Sequence, residues 1–254
     1  MESASSGGHL VSVRPAQTAV PRDIGFFEWF FDVETWTGNG GIIESAIDTV
    51  ILCAAVTAVA VIVSVPIASV LAHYRRAEVS STWVVSISRA IPTFAIAALL
   101  VPWSLENGWG FEPWPIFIAL LLLALVPMYL NTYTAIRQVP SGAVDAARAL
   151  GYGERSILTN VEFALAASVI LTGVRVAAIQ VVATEPIRAF LGGDGLGRYV
   201  RDGFGQNNNT LVIGGIVLIG GLAAITGLTF VALERLVLPT GVRRLTRQQG
   251  DQQP

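Results

Sequence analysis

The sequence predicts an all-α integral membrane protein with about five core transmembrane helices. Hydrophobic residues make up 53% of the chain, charged residues make up 13%, and the mean hydropathy is +0.61. A soluble domain carries about 25% charged residues, so this composition indicates a membrane protein. Five apolar runs approach or exceed the length of about 18 residues that crosses a bilayer. The net charge of −2 gives no indication of nucleic-acid binding.

Each predicted span is delimited by its flanking residues. The spans are 48–72, 84–103, 114–135, 165–183 and 210–233. None of the six tryptophans falls in the middle of a span, and Trp103, Trp109 and Trp114 surround the connection between the second and third spans. Indole rings prefer the headgroup level of a bilayer, so the tryptophans support these limits.

The arginines predict the orientation of the spans. Basic residues follow the first, third and fifth spans, whereas the connection 104–113 has two glutamates and no basic residue. Because loops rich in arginine stay in the cytoplasm, we expect the N-terminus outside and the C-terminus in the cytoplasm. The segment 185–209 is external in this topology and departs from the rule, since it contains three arginines.

The chain divides into a membrane domain and two tails. Residues 1–47 are expected to form an extracytoplasmic tail, 48–235 the membrane domain and 236–254 a cytoplasmic tail. Within the first tail, the aromatic segment 26–36 is too short to cross a bilayer, so we expect it to lie at the outer membrane interface. The alternative is a hairpin that packs against the helical bundle.

A polar segment, 138–163, interrupts the apolar pattern on the predicted cytoplasmic side. It reads as two short helices joined at a glycine-containing turn, 151–153. Val144, Ala147 and Leu150 recur at three-residue spacing, which places them on one helical face. Small residues around this face would let a partner approach closely. The helical pattern alone is equally compatible with a docking element for a partner outside the bilayer and with a plain amphipathic connector.

The spacing within this segment resembles a loop of ABC importer permeases. That loop has the form Glu-Ala-Ala, three residues, Gly, nine residues, Ile, one residue, Leu-Pro. Here 145–147 read Asp-Ala-Ala, Gly151 follows, and Val161, Phe163 and Ala164 occupy the last positions, so the charge and apolar character are kept and the proline is lost. We expect that loss to soften the start of the fourth span. The resemblance implies that the residues coupled to an ATPase are Val144, Asp145, Ala146, Ala147, Leu150, Gly151, Tyr152 and Gly153.

A narrower resemblance, to the permeases for glycine betaine, carnitine, choline and proline, rests on segments along most of the chain. The matching segments are 65–67, 91–93, 131–137, 143–148 and 189–197. The resemblance implies a type I ABC importer permease in the cell membrane that imports a compatible solute of this class. It also implies a cytoplasmic ABC ATPase, an external substrate-binding protein, and a second permease subunit, identical or different. The ATPase would use ATP and Mg²⁺, and the chain itself would bind no cofactor and catalyse no reaction.

Several side chains within the spans are candidates for the solute pathway. They are Pro92, Thr93, Tyr129, Tyr133, Arg175 and Glu185. An arginine in mid-span costs about 2.5–3.5 kcal/mol on insertion scales, so Arg175 is expected to line the path, pair with a partner subunit's carboxylate or cap backbone carbonyls. Glu185 either attracts a cationic solute or pairs with Arg188 one turn away. The two tyrosines share one face, as packing residues or as a cation–π site.

Other classes of function find less support in the sequence. The glycine-rich segment 192–197 lacks the Gly-Lys-Ser/Thr ending of a phosphate loop, so nucleotide binding is not expected. The spans contain no catalytic set and no cluster of metal ligands. A carrier driven by an ion gradient normally needs carboxylates in mid-span, which the predicted spans lack. A permease for methionine, phosphonate or another small solute is the alternative within the ABC class.

Overall fold

The computed structural model describes residues 25–75 and 92–237, and every regular element within these ranges is helical. In chain order the helices are α1 (Phe26–Phe31), α2 (Val33–Thr37), α3 (Ile42–His73), α4 (Thr93–Glu106), α5 (Trp114–Arg137), α6 (Ser141–Ala149), α7 (Glu154–Ser156), α8 (Phe163–Thr184), α9 (Ile187–Phe190), α10 (Gly197–Gln206) and α11 (Asn209–Val237). A π-helical stretch, Ile157–Glu162, joins α7 to α8. The all-α prediction is confirmed.

Four of the predicted spans correspond to helical segments that are long and apolar enough to cross a membrane. These segments are Val33–His73, Trp114–Arg137, Glu154–Phe190 and Asn209–Leu236. The second predicted span corresponds to α4, which has 14 residues in the described part of the chain. Its predicted first residues, 84–91, lie outside the described residues. The prediction of a multi-pass membrane protein is confirmed.

The fourth spanning helix starts much earlier than predicted. We expected a second short helix in the loop and a separate span from 165, but helical structure is continuous from Glu154 to Thr184. The physical reason lies at Ala164, where a proline would remove a backbone hydrogen bond and clash with the preceding turn. Alanine has the most favourable helix propensity, so the helix passes through this position. The prediction of a separate second helix is wrong.

The centre of the bundle is formed by α3, α5 and α8, with α11 against α8. Small residues lie at the contacts between these helices, and Ala60, Ala119, Ala124 and Ala177 are fully buried. In a membrane, small residues let helix backbones approach closely and gain van der Waals contact. Larger side chains such as Leu120 fill the spaces between them.

The long helices define two ends of the bundle. Helix α3 runs opposite to α8, as the contacts His73–Glu162 and Thr49–Glu185 require. Helix α5 begins at the end where Glu112 meets Arg188, and α11 begins where Gly214 meets Trp29, so both run in the direction of α3. The loop end contains the last residue of α3 and the segment 138–163. The cap end contains the residues 25–41, 107–113 and 185–208.

The aromatic segment near the N-terminus packs against the bundle at the cap end. Trp29 is buried, its ring lies 5.7 Å from that of Tyr199 in an edge-on arrangement, and a side chain on Gly214 would overlap it. Phe27 and Phe31 stay exposed at 74% and 73%. The hairpin alternative therefore describes α1 and α2 better than a segment held only by the membrane interface.

Candidate functional site

The turn after α6 is built around Gly151. The backbone N–H of Gly151 donates to the Arg148 carbonyl at 3.0 Å, and that of Tyr152 donates to the Ala147 carbonyl at 3.1 Å. This pair of hydrogen bonds is the Schellman arrangement, which needs a left-handed residue at its centre. Gly151 has φ +86°, which glycine adopts without the steric penalty of a side chain. The glycine thus ends α6 and returns the chain towards α7.

The predicted coupling residues lie on two different sides of this turn. Ala147 is buried against the π-helical stretch and Val144 is half-buried, whereas Leu150 is 79% exposed and Tyr152 is 48% exposed. Leu150 is the C-cap of α6, and its N–H still donates to the Ala146 carbonyl at 3.1 Å. The predicted face therefore has a buried part at Ala147 and an exposed end at Leu150. The predicted coupling residues that are exposed are Asp145, Ala146, Leu150, Gly151, Tyr152 and Gly153.

Arg148 connects the two arms of the loop. Its Nε and Nη2 donate to the two carboxylate oxygens of Glu154 at 2.7 and 3.0 Å, and Nη1 lies 3.3 Å from Asp145 Oδ1. The hydrogen bond from the Glu154 carboxylate raises the pKa of Arg148. A bidentate pair fixes orientation as well as distance, so it holds α6 and α7 together across the Gly151 turn.

His73, the last residue of α3, reaches the same arm of the loop. Its side chain is only 4% exposed, its Nδ1 lies 2.6 Å from Glu162 Oε2, and its Nε2 lies 3.2 Å from Glu154 Oε2. Sequence reasoning missed this contact. The available signals were a histidine at the end of an apolar span and two glutamates eight residues apart in the loop.

A second polar cluster lies at the cap end. Glu185 is fully buried, its Oε1 lies 3.3 Å from Arg188 Nη1, and its Oε2 accepts from the Thr49 hydroxyl at 3.3 Å. Arg188 also makes a bidentate ion pair with Glu112, with Nη2 2.8 Å from Oε2. The ion-pair interpretation of Glu185 and Arg188 is confirmed, and the structure adds Glu112 and Thr49 to it.

Two glycines allow the segment after α9 to close over this cluster. Gly195 has φ +90°, and a side chain there would lie 2.8 Å from both Glu185 Oε1 and Thr49 Oγ1. A side chain on Gly193 would overlap the Glu112 carboxylate. The backbone therefore approaches the cluster more closely than any other residue type would permit.

The three arginines of the cap end all have acceptors. Arg188 pairs with glutamates, Arg198 donates to the Gly40 carbonyl, and Arg201 Nη1 donates to the carbonyls of Ala189 and Gly193 at 3.0 and 3.1 Å. Their charge is used to hold the fold of this segment. This use accounts for three arginines in a segment that the predicted topology places outside the membrane.

The remaining pathway candidates belong to separate contacts. Arg175 Nη1 lies 3.7 Å from Glu234 Oε2 in α11, so the carboxylate that it meets comes from the same chain. Tyr129 and Tyr133 stack with ring centroids 6.0 Å apart, and Tyr133 is buried in the core near the loop end. Both tyrosines thus take part in packing. Pro92 caps α4, and Thr93 is its first residue.

A long groove of about 810 Å³ runs between α3, α8 and α11. Its walls are almost entirely apolar. Residues from the three helices include Cys53, Val61, Ile170, Val174, Leu222 and Phe230. Such a surface suits hydrocarbon chains or an apolar helix, because burying a charged solute there would leave the charge without polar partners.

Comparison with known proteins assigns the bundle to a transport family. The family model described as "Binding-protein-dependent transport system inner membrane component" matches residues 60–243. The choline transport system permease protein OpuBB of Bacillus subtilis (strain 168) is 28% identical over 209 residues, which are 82% of this chain and 94% of that protein. The glycine betaine/carnitine/choline transport system permease protein OpuCD of the same organism is 32% identical, over 71% of this chain and 77% of its own. The carnitine transport permease protein OpuCB of Listeria monocytogenes is 29% identical, over 66% of this chain and 74% of its own length.

The fold is also that of a solved transporter. An inward-facing structure of the MetNI methionine ABC transporter superposes with a TM-score of 0.67 and 18% sequence identity, covering 78% of this chain and 96% of the matched one. At this identity the likeness concerns the fold.

Proposed function

The chain belongs to the family of binding-protein-dependent transport system inner membrane components, and we propose that it imports solutes of the choline, carnitine and glycine betaine class. It is the permease subunit of an ABC importer. The observation that carries the proposal is the match to permeases for these solutes over most of the chain, at 28–32% identity. These solutes are small quaternary amines, and importing them does not require the permease to catalyse a reaction.

The energy for import would come from an ABC ATPase that docks at the loop end. The exposed turn supports this, since Leu150 and Tyr152 project from a segment that is braced by Arg148 and continuous with a spanning helix. A docking surface with a central apolar anchor and small neighbours fits a cleft on a partner. The partner ATPase would bind ATP and Mg²⁺.

The loop end would then face the cytoplasm. Arg137, Arg148, Arg155 and Arg235 lie at this end, whereas the cap arginines are held by acceptors of the fold. By the loop-charge rule the described N-terminal helices lie outside and the C-terminus lies inside. An external binding protein would deliver the solute to the cap end.

A second permease subunit would complete the pathway. The groove between α3, α8 and α11 is apolar, so a quaternary amine with a carboxylate or hydroxyl group would find few polar partners along it. A path between two subunits, lined by contributions from both, avoids that cost. The partner is either a second copy or a related chain.

Uptake of radiolabelled glycine betaine tests the proposal. Cells without their own osmoprotectant uptake would express the chain together with its ATPase and binding protein. We expect uptake that stops on ATP depletion, persists when the proton gradient is collapsed, and falls when unlabelled choline or carnitine competes. Competition by methionine alone would instead favour the methionine alternative, and loss of uptake with the proton gradient would favour a secondary carrier.

A pair of glycine variants tests the docking site by the amount of ATPase that is retained when the chain is purified from the same cells. Gly151→Val places a β-branched residue at φ +86°, a conformation that costs about 1–2 kcal/mol outside glycine. Gly142→Val, in α6, meets open space and has no positive φ. We expect the first variant to lose retention of the ATPase and the second to keep it. Equal retention by both would contradict docking at this turn.

A further inference from the structure

A buried histidine at the end of α3 lies between two carboxylates of the neighbouring helix. Nδ1 of His73 is 2.6 Å from Glu162, which is itself buried, and Nε2 is 3.2 Å from Glu154. The ring of Tyr74 packs edge-on against the imidazole at 4.9 Å. The histidine thus touches the first residue of α7 and the last residue of the π-helical stretch at once.

Both ring nitrogens of His73 face a carboxylate oxygen. Ionised carboxylates only accept hydrogen bonds, and a neutral imidazole has a single N–H. The ring therefore satisfies both glutamates when both nitrogens carry a hydrogen, which makes both bonds charge-assisted and strong. Without those donors, the buried carboxylate of Glu162 would lose its partner at a large desolvation cost.

The π-helical stretch has a geometric role in this contact. In a regular α-helix, residues eight apart differ by about 80° around the axis, so Glu154 and Glu162 would point in different directions. The Ile157–Glu162 stretch closes i→i+5 hydrogen bonds and turns less per residue. The wider turn brings both glutamates to the side that faces His73.

The contact continues to the exposed turn. Glu154, which meets His73 through Oε2, is also the bidentate partner of Arg148 in α6. A chain of polar contacts therefore connects the end of α3, the start of the long α7–α8 helix and the arm that carries Leu150.

We infer that His73 is a positioning residue that holds the Gly151 turn in register with α3. A displacement of the turn then moves α3 and α8 together, rather than bending the loop alone. The mechanical part of this inference stands on the contacts of His73, and its role in transport rests on the proposed function.

Spin-label distances test the mechanical part without any partner. The full chain in nanodiscs, with Cys53→Ala to remove the native thiol, would carry labels at Val70→Cys in α3 and Leu150→Cys in the turn, both exposed positions. We expect one narrow distance distribution. In His73→Leu the population of longer distances should rise about tenfold, which corresponds to the loss of one charge-assisted hydrogen bond.

Three further variants test whether the change in distances is due to the hydrogen bonds of His73. His73→Gln supplies two N–H donors and should restore most of the narrow distribution. Arg155→Gln, which changes an exposed charge next to Glu154, is the matched control and should leave it unchanged. If His73→Leu alone misfolds, His73→Leu with Glu162→Leu removes both buried polar partners, and its distribution should still be broad. A narrow distribution in folded His73→Leu, or in the folded double variant His73→Leu with Glu162→Leu, would overturn the inference.

The ratio of ATP hydrolysed to solute imported tests the role in transport. In the complete transporter in proteoliposomes, with labelled glycine betaine as probe, His73→Leu should hydrolyse several times more ATP per solute, and His73→Gln should restore the wild-type ratio. If the wild type retains no ATPase at the Gly151 turn, the proposed function fails and the distances still decide the positioning role. An unchanged ratio with altered distances would overturn the role in transport.

Discussion

Glu185, Arg188, Glu112 and Thr49 form the cap cluster, and substitution of Arg188 is the change that should lower the stability of this cluster most. In Arg188→Leu, the buried Glu185 carboxylate keeps the Thr49 hydroxyl at 3.3 Å as its remaining described donor. Breaking a buried ion pair by removing one partner costs about 3–5 kcal/mol, because the other charge stays uncompensated. Glu185 is fully buried, so we expect the cost to fall within this range.

The other partner of Arg188 should be less sensitive. In Glu112→Gln, Arg188 keeps Glu185 at 3.3 Å, and the amide oxygen still accepts from the guanidinium. Loss of charge on one hydrogen-bonded partner with a partly exposed side chain costs about 1–2 kcal/mol. Arg188→Leu should therefore lower the free energy of unfolding more than Glu112→Gln does, because Glu185 is fully buried.

Thermal unfolding of the purified chain in detergent measures both changes. Asp202→Asn is the matched control, because it breaks a 2.8 Å pair with Arg201 at a partly exposed position and should cost about 1 kcal/mol or less. If Arg188→Leu costs no more than this control, the cap cluster is not a closed ion pair. Protection of the wild type by glycine betaine, lost in Glu185→Gln, would then favour attraction of a cationic solute.

Further predictions concern single contacts. Gly195→Ala should lower the free energy of unfolding by about 1–3 kcal/mol, because alanine would have a strained φ there and its side chain would lie against two oxygens. The control is Gly205→Ala, whose side chain meets open space and should leave the stability unchanged. Thermal unfolding compares the two variants. A double-mutant cycle on Arg175 and Glu234 should give a measurable coupling energy of about 1 kcal/mol or less, since both side chains are 29% exposed. The absence of any coupling would indicate that the pair does not form. Leu150→Asp should reduce copurification of the ATPase by about tenfold with unchanged unfolding temperature, as for an exposed anchor; unchanged copurification would contradict the docking role of this side chain.

Contacts within one turn of helix were predictable from the sequence, whereas contacts between distant segments were not. The Glu185–Arg188 pair follows from a spacing of three residues along the chain. Glu112 joins it from 76 positions away, and Glu162 reaches His73 across 89. A single sequence carries no signal for such pairs beyond the presence of a charge near a span. For the same reason, none of the three alternatives for Arg175 included Glu234 of the same chain.

The loop at 138–163 shows a second limit of sequence-based prediction. Its position, its first helix and its glycine turn were predictable, because the small residues and Gly151 have local conformational causes. The limits of the second helix were not predictable, because the sequence shows no break between the polar residues after Gly153 and the apolar span, and helical structure continues from Glu154 to Thr184. The different burial of Ala147 and Leu150 was not predictable either, since it depends on the contact of α6 with the π-helical stretch.

ATP-driven uptake into proteoliposomes tests the central claim most directly. The vesicles would contain the chain with its ATPase and any second permease, with the ATPase and ATP enclosed in the lumen and the binding protein and labelled glycine betaine outside. We predict accumulation that requires hydrolysable ATP, persists with ionophores, and disappears with Gly151→Val but persists with Gly142→Val. Accumulation driven by an imposed ion gradient without ATP, or unchanged by Gly151→Val, would contradict a permease coupled to an ATPase through this loop.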